Sequence, residues 1–154
     1  MPLRLDLVRH GDAVAAGESG DASRPLSPAG RRAVADLARF LTGAGRPPDR
    51  AFASPALRAQ ETARILLEGL GVVPETLDEL VPIHGPVEVI QALAARSAHE
   101  GRELLVGHQP LLSLLAAFLE GGPERPLAPA GLIRLVFHEK PGRGLGRVEV
   151  ARQP

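Results

Sequence analysis

Three short clusters in this 154-residue chain are fit for chemistry on a charged group. Arg9-His10-Gly11 sets a guanidinium, an imidazole and a residue without a side chain in a row. Ser54 and Arg58 stand one helical turn apart, and Gly107-His108-Gln109-Pro110 brings a second imidazole beside a second glycine. Two guanidiniums and two imidazoles suit a tetrahedral oxyanion. Arginine forks hold phosphoryl oxygens in pairs, and glycine lets the backbone come close. An imidazole beside a fixed cation stays neutral at physiological pH and keeps a nitrogen lone pair for attack on phosphorus. Attack by His10 would give a phosphohistidine that water then hydrolyses. Neither a cofactor nor a metal is expected, because few carboxylates fall near these clusters and arginines repel a cation. The chain has no cysteine, which excludes thiolate zinc sites, disulfides and cysteine nucleophiles.

These clusters need elements that place them together. Leu3 to Val8 alternates apolar and polar residues, reads as a strand, and runs into Arg9-His10-Gly11. Residues 12–26 are small and polar and read as a long loop. Ser27-Pro28 is a helix opening, a hydroxyl cap with proline at the first helical position, and Val34, Leu37, Ala38 and Leu41 form one buried face. A short strand over 50–53 leads to Ser54-Pro55, which should start a second helix with Ala59, Ala63, Leu66, Leu67 and Leu70 inward. A brief strand is expected over 72–77, a loop over 77–85, and a helix from Pro86 to about His99. Glu103–Val106 reads as a buried strand ending in Gly107-His108, and Pro110 begins an apolar helix over 111–119. Leu132–His138 and Leu145–Ala151 should close the fold as a hairpin across Pro141-Gly142. This alternation predicts one domain over 1–154. Its fold class is α/β, a three-layer α/β/α sandwich whose largely parallel sheet has an antiparallel strand at or near an edge. Ligands of such sheets bind beyond the C-terminal strand ends. The three clusters therefore meet at one rim, a phosphate-binding crevice.

The same clusters carry a resemblance. Leu7-Val8-Arg9-His10-Gly11-Asp12-Ala13 resembles the signature of the histidine phosphatase superfamily, the phosphoglycerate mutase-like fold. Ser54-Pro55-Ala56-Leu57-Arg58-Ala59-Gln60-Glu61-Thr62-Ala63 is similar to the family's second block, and Val106-Gly107-His108-Gln109-Pro110 to its third, in the same order. The small size, the Arg-His-Gly-Asp-Ala opening and the stretch from Asp21 through Arg24-Pro25-Leu26-Ser27 resemble the short phosphohistidine phosphatases of the SixA type. The resemblance implies His10 as nucleophile, with Arg9, Gly11, Arg58 and His108 around the phosphoryl oxygens. It leaves the general acid between Glu79, which sits where many members place a proton donor, and Asp21. Asp21 and Arg24 are also candidate substrate contacts. The implied substrate is protein phosphohistidine, such as a histidine phosphotransfer domain. A small phosphomonoester is the alternative, and a phosphate-recognition module without turnover a further one. A mutase fits less well, since the chain leaves little room for an insertion that would cover the site and exclude water.

Composition bounds the partners. The 18 basic and 18 acidic residues cancel, which argues against general binding to nucleic acid or an anionic membrane. No apolar run approaches the roughly 20 residues of a membrane span, and Met1-Pro2-Leu3-Arg4 has no signal-peptide pattern, so a cytoplasmic location is expected. All but one of the 18 basic residues are arginines, a bias that follows an Ala-, Arg-, Gly- and Pro-rich composition; Lys140 is the exception. His84, His99 and His138 show no partner pattern and are expected at the surface. Aromatic residues are only 3% of the chain, so no interface anchor stands out and the oligomeric state is left open.

Overall fold

A computed structural model describes residues 1–97 and 99–154. Six strands form one sheet: β1 (Leu3–Arg9), β2 (Arg50–Ala53), β3 (Glu75–Thr76), β4 (Gly101–Gly107), β5 (Leu132–Phe137) and β6 (Arg147–Arg152). The order across the sheet is β3-β2-β4-β1-β5-β6. β3, β2, β4 and β1 run parallel, β5 lies antiparallel to β1, and β6 pairs antiparallel to β5 at the edge. The expected hairpin and its antiparallel strand near an edge are therefore both present.

The pleat of β1 explains the three layers. Leu3, Leu5 and Leu7 face a core with Leu112, Leu115, Val89 and Leu93, which come from α4 (Leu111–Glu120) and α3 (Pro86–Ala94). On the opposite face, Val8 joins Leu104 and Val106 under Val34 and Leu37 of α1 (Pro28–Gly43) and Ala63 and Leu66 of α2 (Leu57–Leu67). Strands covered on both faces must be apolar in both registers, and β4 carries the near-continuous run Leu104-Leu105-Val106. Among the described residues no helix is long and apolar enough to cross a membrane.

Ser27 caps α1 as its sequence predicts, its Oγ accepting from Gly30 N at 2.9 Å. Elsewhere the boundaries move. The second helix starts at Leu57 rather than after Pro55, because Ser54 turns its hydroxyl inward and Ala56 takes the cap position without a side-chain bond. α3 stops at Ala94, well short of His99, whose backbone is left-handed (φ 57°) with its N–H donating to Ser97 Oγ at 2.9 Å. β3 is two residues rather than the length of 72–77, and β4 begins at Gly101. The loop over 12–26 contains an Ala13–Leu26 bridge and a single 3-10 turn, Asp21–Ser23. Two histidines depart from the surface expectation: His84 pairs with Glu88 one turn on, and His99 is half-buried with Nδ1 enclosed. His138 is exposed.

Candidate active site

Register brings the three clusters together. Arg9 at the end of β1 lies opposite Gly107 of β4, and Ala53 at the end of β2 lies opposite Val106. The chain then continues the ladder beyond the strands, with His10 N donating to Gly107 O at 3.0 Å and Ser54 N to Val106 O at 3.0 Å. Two glycines let α1 sit against this turn. A Cβ on Gly11 would lie 2.7 Å from Val34 Cγ2, and one on Gly30 would lie 2.1 Å from the Asp12 carbonyl oxygen. The buried Thr62 hydroxyl joins α2 to the same turn: it accepts from Gly11 N at 3.1 Å and donates to Arg58 O at 2.7 Å.

The His10 ring is fixed at both nitrogens. Nδ1 lies 2.7 Å from the Gly11 carbonyl, which can only accept, so Nδ1 carries the proton. Arg58 Nε donates to Nε2 at 3.3 Å, which places the lone pair on Nε2. Burial pulls the imidazole from 6.5 to about 4, and Arg58, then Arg9 and Arg24, add to the fall; the Gly11 carbonyl opposes it. His108 stands edge-on to His10 with ring centroids 5.0 Å apart, and its Nε2 is 2.7 Å from Ser54 Oγ. Burial, then His10 and Arg58, bring His108 to about 4 as well. Both rings are neutral at pH 7, and His10 presents an unprotonated nitrogen beside a guanidinium.

Arg9 is held by Nη1 donating to Leu127 O at 2.8 Å, and burial lowers its pKa. Its enclosed Nε has no hydrogen-bond partner among the described residues. Arg58, 8% exposed, donates to the Asp21 carbonyl at 2.9 Å and to its carboxylate at 3.1 Å. The other Asp21 oxygen accepts from Arg24 Nη1 at 3.1 Å, while Arg24 Nε holds Val14 O at 2.7 Å. Hydrogen bonding to Arg24, then the charge of Arg58, keep the Asp21 carboxyl below its ordinary range.

Arg9, His10, Arg24, Arg58 and His108 line one cleft of about 260 Å³, together with Asp12, Ala13, Pro82, Gln109 and Pro129. Gly11 lies buried beneath it. Asp21 reaches the cleft through Arg58 and Arg24. Glu79 sits half-buried in a 3-10 turn, Asp78–Leu80, and is not among the lining residues; Pro82, just beyond that turn, is. Sequence reasoning missed Thr62, the inward role of Ser54, and the Leu127 carbonyl. A threonine in mid-helix, four residues after Arg58, was the available signal for Thr62. The Leu127 contact spans 118 residues and has no local signature. Three guanidiniums and a nitrogen lone pair around an open cleft can bind a tetrahedral dianion and attack it.

Comparison with known proteins agrees with that chemistry. Residues 5–86 match the sequence model of the histidine phosphatase superfamily, branch 1. The phosphohistidine phosphatase SixA of Escherichia coli K12 is 31% identical over 146 residues, covering 92% of this chain and 89% of that protein. A solved structure of the protein histidine phosphatase SixA complexed with tungstate superposes with a TM-score of 0.87 at 26% identity, over 98% of this chain and 97% of the other. The adenosylcobalamin/alpha-ribazole phosphatase of Salmonella typhimurium LT2 is 42% identical over 81 residues, 51% of this chain and 39% of that protein.

Proposed function

The chain belongs to the histidine phosphatase superfamily and is a phosphatase; from that premise we propose that it moves a phosphoryl group from protein phosphohistidine onto His10 Nε2 and then to water. The whole chain acts as one catalytic domain. In the first step the Nε2 lone pair forms a bond to phosphorus while the bond from phosphorus to the substrate's imidazole breaks. That imidazole, protonated on its other nitrogen, leaves as a neutral molecule. In the second step a water oxygen attacks the same phosphorus, the bond to Nε2 breaks, and orthophosphate departs. Arg9, Arg58 and His108 surround the three equatorial oxygens, and Arg24 and Asp21 meet the substrate at the cleft mouth. Fixed donors of this kind stabilise charge developing on the phosphoryl group in both steps.

The observation that carries the reading is the state of His10: a half-buried neutral ring with its lone pair on Nε2, held there by the Gly11 carbonyl and met by Arg58. The protein-substrate half rests on the SixA relatives and on the open rim. The segment between β3 and α3 spans only residues 77–85, one turn and no covering insertion. A small phosphomonoester is the second reading, favoured by the partial likeness to the alpha-ribazole phosphatase.

Rapid quench with a ³²P-labelled histidine phosphotransfer domain tests both halves. The expected result is a transient base-stable, acid-labile phosphoenzyme that is absent in His10→Ala. Equal phosphate release by wild type and variant would remove His10 as nucleophile. Turnover of an aryl phosphate, with none of the phosphorylated domain, would replace the protein substrate by a small one.

A further inference from the structure

Four of the arginines that the cleft does not use gather at the opposite pole of the same strands. Arg4, Arg46, Arg102 and Arg134 line an opening of about 350 Å³ with Glu149 on its edge. β1 and β4 thus carry His10 and His108 beyond their C-terminal ends and this second group toward their N-terminal ends.

The carboxylates around the opening are already engaged. Arg134 grips Asp6 with two bonds, Nε to Oδ1 at 2.6 Å and Nη2 to Oδ2 at 3.0 Å. Arg4 takes both oxygens of Glu149, at 3.1 and 3.3 Å. Asp49 pairs with Arg46 through one oxygen and accepts from the Arg102 backbone N–H at 2.9 Å through the other. Arg102 keeps only a 3.4 Å approach to the Asp6 oxygen that Arg134 holds, and the carbonyl of Arg46. Four guanidiniums thus face three carboxylates.

Two buried guanidiniums, Arg102 and Arg134, only 7% and 5% exposed, share the single carboxylate of Asp6. No protein acceptor among the described residues meets Arg102 Nη2 or Arg134 Nη1. Neither atom is among the fully enclosed unpartnered ones, so both keep some contact with solvent, and both side chains line the opening. A structural ion pair needs less than this: Asp6 and Arg134 lie directly opposite in register and tie β1 to β5 without Arg102. Two buried cations that share one carboxylate are incompletely compensated, and an anion that bridges both guanidinium forks offsets that cost.

We infer that this pole is a second anion site, built for a small phosphate-bearing molecule that bridges Arg102 and Arg134 while the more exposed Arg4 and Arg46 close over it. The inference does not depend on the nucleophile or on the substrate of the cleft.

The test reads arginine Nε–Hε signals by ¹H–¹⁵N NMR during titration with inorganic phosphate, with Arg102 and Arg134 assigned through lysine variants. Saturable shifts at both are expected, and they persist in Arg58→Gln, where the cleft is impaired. In the double variant Arg4→Gln/Arg46→Gln the midpoint should rise about tenfold, about 1.4 kcal/mol, with the Arg58 response unchanged. Both substitutions are at side chains 41% and 57% exposed, so the fold tolerates them. Silence at Arg102 and Arg134 while Arg58 responds would overturn the site. So would shifts that sodium chloride reproduces at matched ionic strength.

Discussion

Acid is the most direct perturbation of the rim. His10 and His108 both fall from 6.5 to about 4, chiefly through burial. For a fully enclosed ring that fall is worth about 3 kcal/mol, and less here because both rings keep one side open to the cleft. At about pH 5.5 an ordinary imidazole is about nine-tenths protonated, whereas one titrating at 4 is only about 3% protonated, a roughly tenfold gain in neutral nitrogen. The folded chain prefers the neutral rings and the unfolded chain binds protons at 6.5, so their contribution is complete above 6.5. It declines as pH falls toward 4, then stays flat. Asp6 opposes this: burial outweighs Arg134 and raises its carboxyl from 3.8 to about 6, so the fold gains from Asp6 as pH drops through the same window. Two histidines outweigh one aspartate, and the urea midpoint should fall between pH 6.5 and 4. The ring assay is two-bond ¹H–¹⁵N correlation on ¹⁵N-histidine protein, assigned with His10→Gln and His108→Gln. A His10 midpoint near 6.5, or a proton on Nε2 at neutral pH, would refute the account of this ring.

Thr62→Val removes the acceptor for the Gly11 N–H in a buried place, so it should cost about 1–3 kcal/mol in chemical denaturation and slow phosphate release. Gly30→Ala forces α1 away from the Asp12 carbonyl, because its new Cβ would lie 2.1 Å from that oxygen; a lower melting temperature with a disturbed His10 Nδ1–H signal is expected. Asp21→Asn removes the carboxylate that occupies Arg58 and Arg24. It should therefore tighten tungstate binding in calorimetry, while Glu79→Gln leaves that binding unchanged. Dephosphorylation of phosphoimidazole should outpace that of alkyl phosphates in steady-state assays, and the excess should persist in Glu79→Gln.

The strand ends and the rim were legible because they follow from local pattern plus one topological rule. Alternation gave β1, the Ser27-Pro28 opening gave α1, and parallel order sent Arg9, His10, Ser54 and His108 to one side. Reading failed where a side chain serves a distant partner instead of its own backbone. Ser54 reads as a helix cap but hydrogen-bonds His108, 54 residues away, and α2 starts later in consequence. His99 reads as the end of α3, yet the helix stops at Ala94, and the left-handed His99 lies in the connection to β4. The anion pole was hidden for a related reason. Asp6, Arg102 and Arg134 look like polar interruptions on three separate strands, and only the pairing of β4, β1 and β5 makes them one cluster.

The proton inventory of the rim bears on which bond the enzyme breaks. His10 and His108 are neutral at pH 7, and Asp21 is held ionised by two arginines. Asp12 accepts the Ser27 hydroxyl at 2.7 Å, and Glu79 does not line the cleft. An alkyl ester releases an alkoxide, which needs a proton delivered as the bond breaks. A phosphorylated imidazole brings its own proton on the distant nitrogen and leaves neutral. A cleft rich in fixed positive donors, with its nearest carboxylates already committed, stabilises the phosphoryl group far better than it serves the departing atom. On the proposed function, such a site is expected to discriminate by leaving group before it discriminates by shape, in favour of phosphorus–nitrogen bonds.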